Sequence, residues 1–511
     1  MDYDVVVAGA GPVGLMLAGE LRLGGARVLV LERETDPPPS RFGSMGARGV
    51  NAPSVHALHL RGLLPAVEKT ALRWLGALPE APPGEPREVF VGQFAGIGIR
   101  ADRLKPPAPG EEFLGAGVVS QGDLEAVLAE RATALGAEIR RGTALTGLDA
   151  GADGVDVHIE PETVRAAWLV GADGGRSTVR GLAGFDFPGV DPVFTGRQAV
   201  VDLADAHKLT AGGWQGGENG AYTLGGWADG DGPPRVHTVE YVSPPADRDA
   251  PVTAEEMQAS LRRVSGTDVT VTHVHVATRY ADTTRQATRY RRGRVLLCGD
   301  AAHVHSPAGG QGMNLGLGDA VNLGWKLALV ARGAAPDALL DSYEAERHPI
   351  GAWVQKWSMA QTALSMARGP RADALREVVA DLLDTPDGAT HVVSMIGGQW
   401  QHYDLPGDHP LIGRRVPDLP LTDGTTLAGH FRTGRAVLLD TGTGAAAVAG
   451  AWSDRVTTVT ARPVAYPDQP MAALIRPDGH VAWLTLAEDH DGLRAALTTW
   501  LGPARADRMD G

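Results

Sequence analysis

A single cysteine, Cys298, stands among 511 residues. One thiol can neither close an intramolecular disulfide nor build a thiolate metal cluster within the chain. That count suits a reducing cytoplasm. Long hydrophobic runs are missing too: nothing approaches the roughly 18 apolar residues that span a bilayer. The stretch LGWKLALVA at 323–331 has the length of a buried helix instead. At the N-terminus, MDYDVVVAGAGPVG carries acidic residues where a secretory leader would carry positive charge. Cationic residues are the minority overall, 47 Lys and Arg against 61 Asp and Glu, for a net charge of -14. A nucleic-acid or anionic-membrane partner, which wants a basic surface, is not expected. No Gly-X-Ser-X-Gly nucleophile elbow occurs.

What is present is ordinary for a globular enzyme, 43% hydrophobic and 21% charged. The length exceeds one hydrophobic core, so two or three domains are expected. The opening is the most informative stretch. Asp4-Val5-Val6-Val7-Ala8 reads as a strand buried on both faces. It runs into Gly9-Ala10-Gly11-Pro12-Val13-Gly14 and then a helical segment stopped by Gly24-Gly25. A second apolar run, 27–31, ends at Glu32, which completes a β-α-β unit. Gly9 allows a tight turn, Gly11 lets backbone approach a pyrophosphate, and Gly14 lets helix and strand pack closely. Glu32, eighteen residues past Gly14, can accept from ribose hydroxyls. The helix N-terminus offers free N–H groups to phosphates. Together these features predict a dinucleotide site.

Further along, residues 37–53 read as a loop and 76–112 are rich in Pro and Gly. The pattern QGDLEAVLAERATAL predicts a helix over 121–135, with Leu124, Val127, Leu128 and Leu135 near one face. Residues 137–175 alternate like a small set of strands. Residues 185–290 read as a separate, mainly antiparallel sheet. A strand returns at 294–299, and long helices are expected from about Leu315 to about 385. After about 395 a small α/β unit is expected, with MAALIRPDGHVAW forming a hairpin that turns at Pro-Asp-Gly.

Two later segments separate FAD from NAD by resemblance. Gly299-Asp300-Ala301-Ala302-His303 looks like the GD motif of flavoprotein aromatic hydroxylases, and residues 171–180, GADGGRSTVR, look like their DG motif. The order GxGxxG, DG, GD over residues 1–385 resembles group A FAD-dependent monooxygenases, including those that tailor aromatic polyketide antibiotics. The resemblance implies an α/β fold. A Rossmann-like FAD-binding domain (1–180 and 286–390) would carry an inserted β-rich substrate domain (181–285). The region 395–511 resembles the thioredoxin-like appendix of such enzymes; without cysteine it has no thiol chemistry.

The same resemblance assigns FAD contacts to Gly9, Gly11, Pro12, Val13, Gly14, Glu32, Arg33, Arg41, Gln121, Leu145, Asp173, Gly299 and Asp300. Asp300 at a strand end can accept from the ribityl or ribose hydroxyls. Pro307, Gly310, Gly312, Met313 and Asn314 lie in PAGGQGMN, whose glycines let backbone approach a flat ring. The N–H groups of Gly312, Met313 and Asn314 would face the flavin edge that gains negative charge on reduction. Arg48 departs from the family pattern: it is followed by Gly-Val-Asn-Ala-Pro-Ser-Val and lies thirteen residues before Arg61. A longer loop is expected there, with the next helix starting near Pro53-Ser54 and Arg48 placed to meet a substrate carbonyl or the peroxide.

Only one dinucleotide motif is found, which matches a family in which NADPH or NADH visits, donates a hydride and leaves. Oxygen then forms a flavin C4a-(hydro)peroxide. The protonated form hydroxylates an electron-rich ring; the deprotonated form would give Baeyer–Villiger insertion. Hydroxylation of a polycyclic aromatic polyketide is the leading expectation, with an antibiotic-inactivating monooxygenase as a variant. A flavin dehydrogenase or a non-catalytic flavin-binding protein is the alternative of another class; the Trp-X-Trp-X-Ile-Pro stretch of flavin halogenases is absent. Substrate contacts are expected at the boundary with the sheet region, from among Trp214, Tyr222, Trp227, His237 and Tyr241. A metal at His303-X-His305 is not expected, and Cys298 reads as a packing residue. A homodimer is compatible with the resemblance.

Overall fold

The computed structural model describes residues 1–75, 90–106, 116–225, 233–242, 250–465 and 469–505. Val5, Val6 and Val7 are fully buried, as a strand covered on both faces requires. Their strand, Tyr3–Ala8, pairs in parallel with Val28–Leu31 and Glu162–Gly171. Val295–Leu297 and Glu138–Arg140 extend the parallel sheet on either side. Val155–Ile159 and Leu145–Ala150 fold back antiparallel onto Glu162–Gly171 and each other, the strand set expected after 137.

The helices in chain order are α1 (Pro12–Leu23), α2 (Ala52–Leu60), α3 (Leu64–Thr70), α4 (Gln121–Ala134), α5 (Thr178–Leu182) and α6 (Ala254–Ser265). They continue as α7 (Gly312–Ala331), α8 (Asp341–Met366), α9 (Pro370–Leu383), α10 (Pro386–Gly397), α11 (Ala445–Ala449) and α12 (His490–Leu501). α1 and α7 meet through small residues. A Cβ on Gly316 would lie 2.5 Å from Val13 Cγ2, and one on Gly324 would lie 2.3 Å from Glu20 Cβ. Side chains there would force the two helices apart.

Two expectations are corrected. The segment after Arg48 is not a loop: Ala47–Val50 is a strand paired with Ala116–Ser120. Asn51 then caps α2 by accepting from Ser54 N at 3.3 Å, so the helix begins at Ala52. The apolar residues Val118 and Val119 drew this short stretch into a sheet that local composition did not announce. Within the sheet region, residues 254–265 form α6. Thr253 caps it, Met257, Ser260, Leu261 and Val264 form its buried face, and Gly266 ends it in the left-handed region (φ 66°). Those capping and periodic signals were present in the sequence.

The sheet region contains five antiparallel strands, in the order Gly212–Gly217, Gly220–Leu224, Arg235–Glu240, Thr195–Leu203 and Val271–Ala281. One face packs Ala199, Val201, Tyr222, Leu224 and Val236 against Met257, Leu261 and Val264 of α6. A small sheet of Gly189–Val190, Thr284–Gln286 and His303–Val304 joins this region to the parallel sheet.

The C-terminal unit is thioredoxin-like. Ala436–Asp440 pairs in parallel with Val456–Val459 and antiparallel with Ala472–Ile475, which forms the expected hairpin with Val481–Thr485. Gly479, at φ 80°, makes the turn. That turn is plugged into the N-terminal body. The Arg61 guanidinium donates to Glu20 at 2.6 Å and to the carbonyls of Phe431 and Pro477 at 2.9 and 2.8 Å. Arg476 donates to Glu346 at 2.7 Å and pairs with Asp478, while Lys326 reaches the same Glu346 at 2.8 Å.

Candidate active site

Ala8, Leu31, Gly171 and Leu297 end four parallel strands at one edge of the sheet, the place where open α/β sheets bind ligands. Gly9 follows with φ 105°, and a Cβ on it would lie 2.4 Å from the Ala172 carbonyl oxygen. A Cβ on Gly14 would lie 2.0 Å from the Gly9 oxygen, so the helix can follow the strand only through glycine. Gly11 differs: a Cβ there would meet only Glu125 Oε1, at 4.0 Å. Its side faces open space at the first turn of α1, where Pro12 has no N–H and Val13 and Gly14 present theirs. Glu32, nearly fully buried, accepts from Ala10 N at 2.9 Å and Glu34 N at 3.0 Å. Thr143 N donates to the Glu32 carbonyl at 2.8 Å, which brings the strand starting at Leu145 beside it. Arg33 is exposed and pairs with Glu34 at 3.1 Å.

Beside Gly11 sits a cluster that the sequence reading had only in part. Arg41 Nη1 donates to the buried Glu125 carboxylate at 3.0 Å, and Gln121 Nε2 donates to it at 2.9 Å. Gln121 and Glu125 are one turn apart on α4, so they share a face. Glu125 was missed because a glutamate in an amphipathic helix ordinarily faces water.

At the same edge, Asp173 accepts from Ser177 Oγ at 2.5 Å and from Val179 N at 3.1 Å, and Ser177 caps α5 by accepting from Arg180 N at 2.9 Å. Arg180 donates to the Ala301 and Gly175 carbonyls at 3.0 and 2.8 Å and thereby ties the DG and GD segments together. Gly299 adopts φ 64° against Val13, leaving Asp300 exposed at the same edge. Behind the turn, buried Asp319 accepts from Gly299 N at 3.1 Å and Arg347 Nε at 2.7 Å and bonds His303 Nε2 at 2.7 Å. Burial pushes the Asp319 carboxyl up, but Arg347 and His303 hold it below the usual carboxylate range. Among the described residues no metal-ligand cluster occurs.

The 307–314 segment turns through Gly309 (φ 85°) and Gly310 (φ 65°), with Pro307 and Gly310 exposed, and α7 begins at Gly312. Gly312, Met313 and Asn314 therefore form its first turn, three residues earlier than the expected helix start. The Asn314 side chain accepts from Asn51 N (3.0 Å) and Ser54 Oγ (2.8 Å) and donates to the Gly49 and Gly310 carbonyls (2.9 and 3.1 Å). It locks the Arg48 strand to α7.

Arg48 Nη1 donates only to the Met45 and Ala47 carbonyls, at 3.3 and 2.9 Å, and forms no ion pair among the described residues. Burial draws its pKa down, against Glu125 and Asp300 nearby. Across from it, Arg235 Nη1 donates to the Ser44 carbonyl at 2.6 Å, while its buried Nε has no partner. Arg235 and His237 alternate with the α6-facing residues of their strand, so they lie on the sheet's second face. His237 pairs in register with Gln198 and Thr223, and its ring lies 6.0 Å from Trp214 and 6.4 Å from Tyr280. Burial, reinforced by Arg235, lowers the His237 pKa to about 4, so the ring is neutral at pH 7. This second face, polar and aromatic, turns toward the Ser44–Arg48 segment instead of packing in a core.

Of the residues expected to line the site, Trp214 and His237 are here. Tyr222 is not: it is packed under α6, with Thr210 N donating to its hydroxyl at 3.2 Å. Strand alternation places it on the wrong face. Tyr241 pairs with Arg368 at the margin. Trp227 lies outside the described residues. Arg235, Glu125, Asp319 and Arg347 carried no motif and were missed.

The FAD binding domain family matches residues 2–358, and the aromatic-ring hydroxylase C-terminal family matches residues 409–504. The chain belongs to the FAD binding domain family. Its family and relatives make the protein a FAD-dependent monooxygenase of the group A type, with NAD(P)H and O2 as co-substrates. It is similar to the 12-dehydrotetracycline 5-monooxygenase/anhydrotetracycline 6-monooxygenase of Streptomyces rimosus, 44% identical, with 98% of this chain and 99% of the relative covered. The solved structure of OxyS anhydrotetracycline hydroxylase from Streptomyces rimosus matches with a TM-score of 0.84 at 41% identity, covering 99% and 100% of the two chains. The chain is also similar to a dialkyldecalin synthase from Streptomyces rugosporus, 38% identical over 99% of this chain and 100% of the relative. The structure fits FAD: a Cβ on Gly11 would enter the open space at the first turn of α1.

Proposed function

We propose that this monooxygenase hydroxylates a polycyclic aromatic polyketide held between the flavin-side strand edge and the second face of the five-stranded sheet. The observation that carries this reading is that face. It bears neutral His237 and Arg235, whose Nε lacks a partner, beside Trp214 and Tyr280, across from Arg48, which among the described residues bonds only backbone carbonyls. A polycyclic phenol or quinone offers a flat ring for the aromatic residues and oxygen acceptors for the guanidinium groups. Relatives named for anhydrotetracycline act on ligands of this shape.

In this reading Gly9, Gly11, Pro12, Val13, Gly14 and Arg41 hold the pyrophosphate, with Glu125 and Gln121 fixing the Arg41 guanidinium. Glu32, Arg33 and Leu145 frame the adenosine end, and Asp300, with Asp173 and Gly299 beside it, the ribityl chain. Pro307, Gly310 and the N–H groups of Gly312, Met313 and Asn314 bound the ring. When bound, FAD takes a hydride from NAD(P)H and activates O2 for transfer of one atom. Arg48 and Arg235 orient a substrate oxygen, and the sheet face excludes water from the reacting carbon. Division of the chain near residues 180, 285 and 390 follows the same reading. So does a cytoplasmic setting, supported by the lone buried thiol. Self-association into a homodimer belongs to this reading too and is checked by sedimentation.

The test is turnover of anhydrotetracycline-type polyketides with NADPH and labelled O2, read by mass spectrometry. A phenol carrying one labelled oxygen is expected. A lactone would mean Baeyer–Villiger insertion, and a rearranged product without label would place the protein with the synthase.

A further inference from the structure

His303 and His305 leave the GD turn together, yet they are held differently. His303 Nε2 bonds the buried Asp319 carboxylate at 2.7 Å. Among the described residues His305 has no carboxylate partner. Its Nδ1 lies 2.7 Å from the Ser306 carbonyl oxygen. A carbonyl only accepts, so Nδ1 carries the proton, and in the neutral ring Nε2 keeps its lone pair. That Nε2 is buried and has no hydrogen-bond partner. It lies against the first turn of α7: a Cβ on Gly312 would be 3.5 Å from it and 3.9 Å from Asp300 Oδ1.

A bare imidazole nitrogen therefore stands behind the helix end that faces the flavin ring in the assignment above. Hydride transfer from NAD(P)H adds two electrons and one hydrogen to FAD and leaves the ring with one extra negative charge. Charge arriving at a helix N-terminus favours a cation close by. The charged and titratable groups facing His305 are Asp300, which favours its protonated form, and His303, which opposes it. Burial lowers its pKa in the absence of that added charge.

We propose that His305 is the redox-linked proton holder of this site: Nε2 takes a proton from solvent when hydride transfer makes the flavin anionic, and returns it on reoxidation. The proposal rests on the flavin assignment. No bond to His305 other than N–H is made or broken, and the hydride, not the imidazole, supplies both electrons. His305 acts through the α7 turn and Asp300, as a positioning residue for charge.

The experiment uses the full-length, FAD-loaded protein under anaerobic conditions, reduced electrochemically in weak buffer with a pH-indicator dye. Near pH 6.5, where an imidazole can hold a proton, the protein takes up about two protons per two electrons, and His305→Gln takes up about one. Gln is chosen because its amide can still donate to the Ser306 carbonyl. Equal uptake by both proteins overturns the proposal. A second measurement needs no variant: the wild-type flavin potential, followed from pH 5 to 9, should change slope where His305 ceases to follow reduction. A single one-proton slope throughout overturns the proposal while leaving the flavin assignment intact. A folded protein that binds no FAD overturns both.

Discussion

Two buried regions of this molecule treat charge in opposite ways. At the seam with the C-terminal unit the charges cluster into ion pairs, Arg415, which donates to the Gly398 carbonyl, being an exception. Lys326 and Arg476 share Glu346, Arg476 also pairs with Asp478, and Arg61 pairs with Glu20. Across the cleft, Arg48 and Arg235 bond only backbone carbonyls and have no carboxylate partner among the described residues. Taking a charge out of water costs several kcal/mol per ion unless a partner compensates. The seam's ion pairs are compensated within the chain. The cleft is left uncompensated, which makes sense if a ligand completes it. Stability belongs to the first region and binding to the second.

Breaking the seam should have the largest effect. Arg476→Ala leaves Asp478 without its guanidinium partner in a buried site, and Glu346 with Lys326 alone, and should cost about 3–5 kcal/mol in urea unfolding. Replacing Lys326, Glu346, Arg476 and Asp478 together by apolar residues should recover much of that loss. The cleft should respond the other way. Arg235→Gln, like Arg48→Gln, should weaken binding of a polycyclic phenol to the FAD-loaded protein by roughly tenfold, ~1.4 kcal/mol, and leave the urea midpoint in place. An equal loss of stability would show that these arginines are structural after all.

pH sharpens the contrast further, because each region buries a neutral histidine. His56, beneath the C-terminal unit, has its pKa lowered to about 3 by burial, and His237 in the cleft to about 4. Both values lie below the unfolded one of 6.5. The unfolded chain therefore binds more protons as the pH falls, and stability should drain away from about pH 6.5 down to about pH 4 for His237 and about pH 3 for His56. His56→Gln and His237→Gln should each flatten the curve of melting temperature against pH in that window. The smallest effect is expected at the surface. Arg103 pairs with Asp384 at the partly exposed surface, where solvent screens the pair, and Arg103→Ala should leave the melting temperature nearly unchanged.

Legibility in the sequence followed the range of the interaction. The glycine turn, the DG and GD segments, α4, α7 and the C-terminal hairpin could all be read from the chain, because each depends on residues within one turn or one strand of each other. The α6 helix was equally readable from Thr253, Glu256 and Gly266 and was passed over in favour of the surrounding β-rich composition. Tyr222 could not be sorted from His237 without knowing which face of the sheet α6 covers. Nor could the Arg48 strand be foreseen, since its partner lies some seventy residues away at Val118-Val119.

By itself, the order of residues determined the nucleotide-binding turns, because only glycine can occupy backbone that must pass within van der Waals reach of another strand. It also determined that the appendix has no thiol chemistry. Tertiary structure alone decided which charges are matched and which are left open. Pairing Arg476 with Glu346, or leaving Arg235 without a carboxylate, depends on side chains that meet across more than a hundred residues or fail to meet at all. No local pattern encodes such a meeting, since the cost of burying an ion is set by what surrounds it in space.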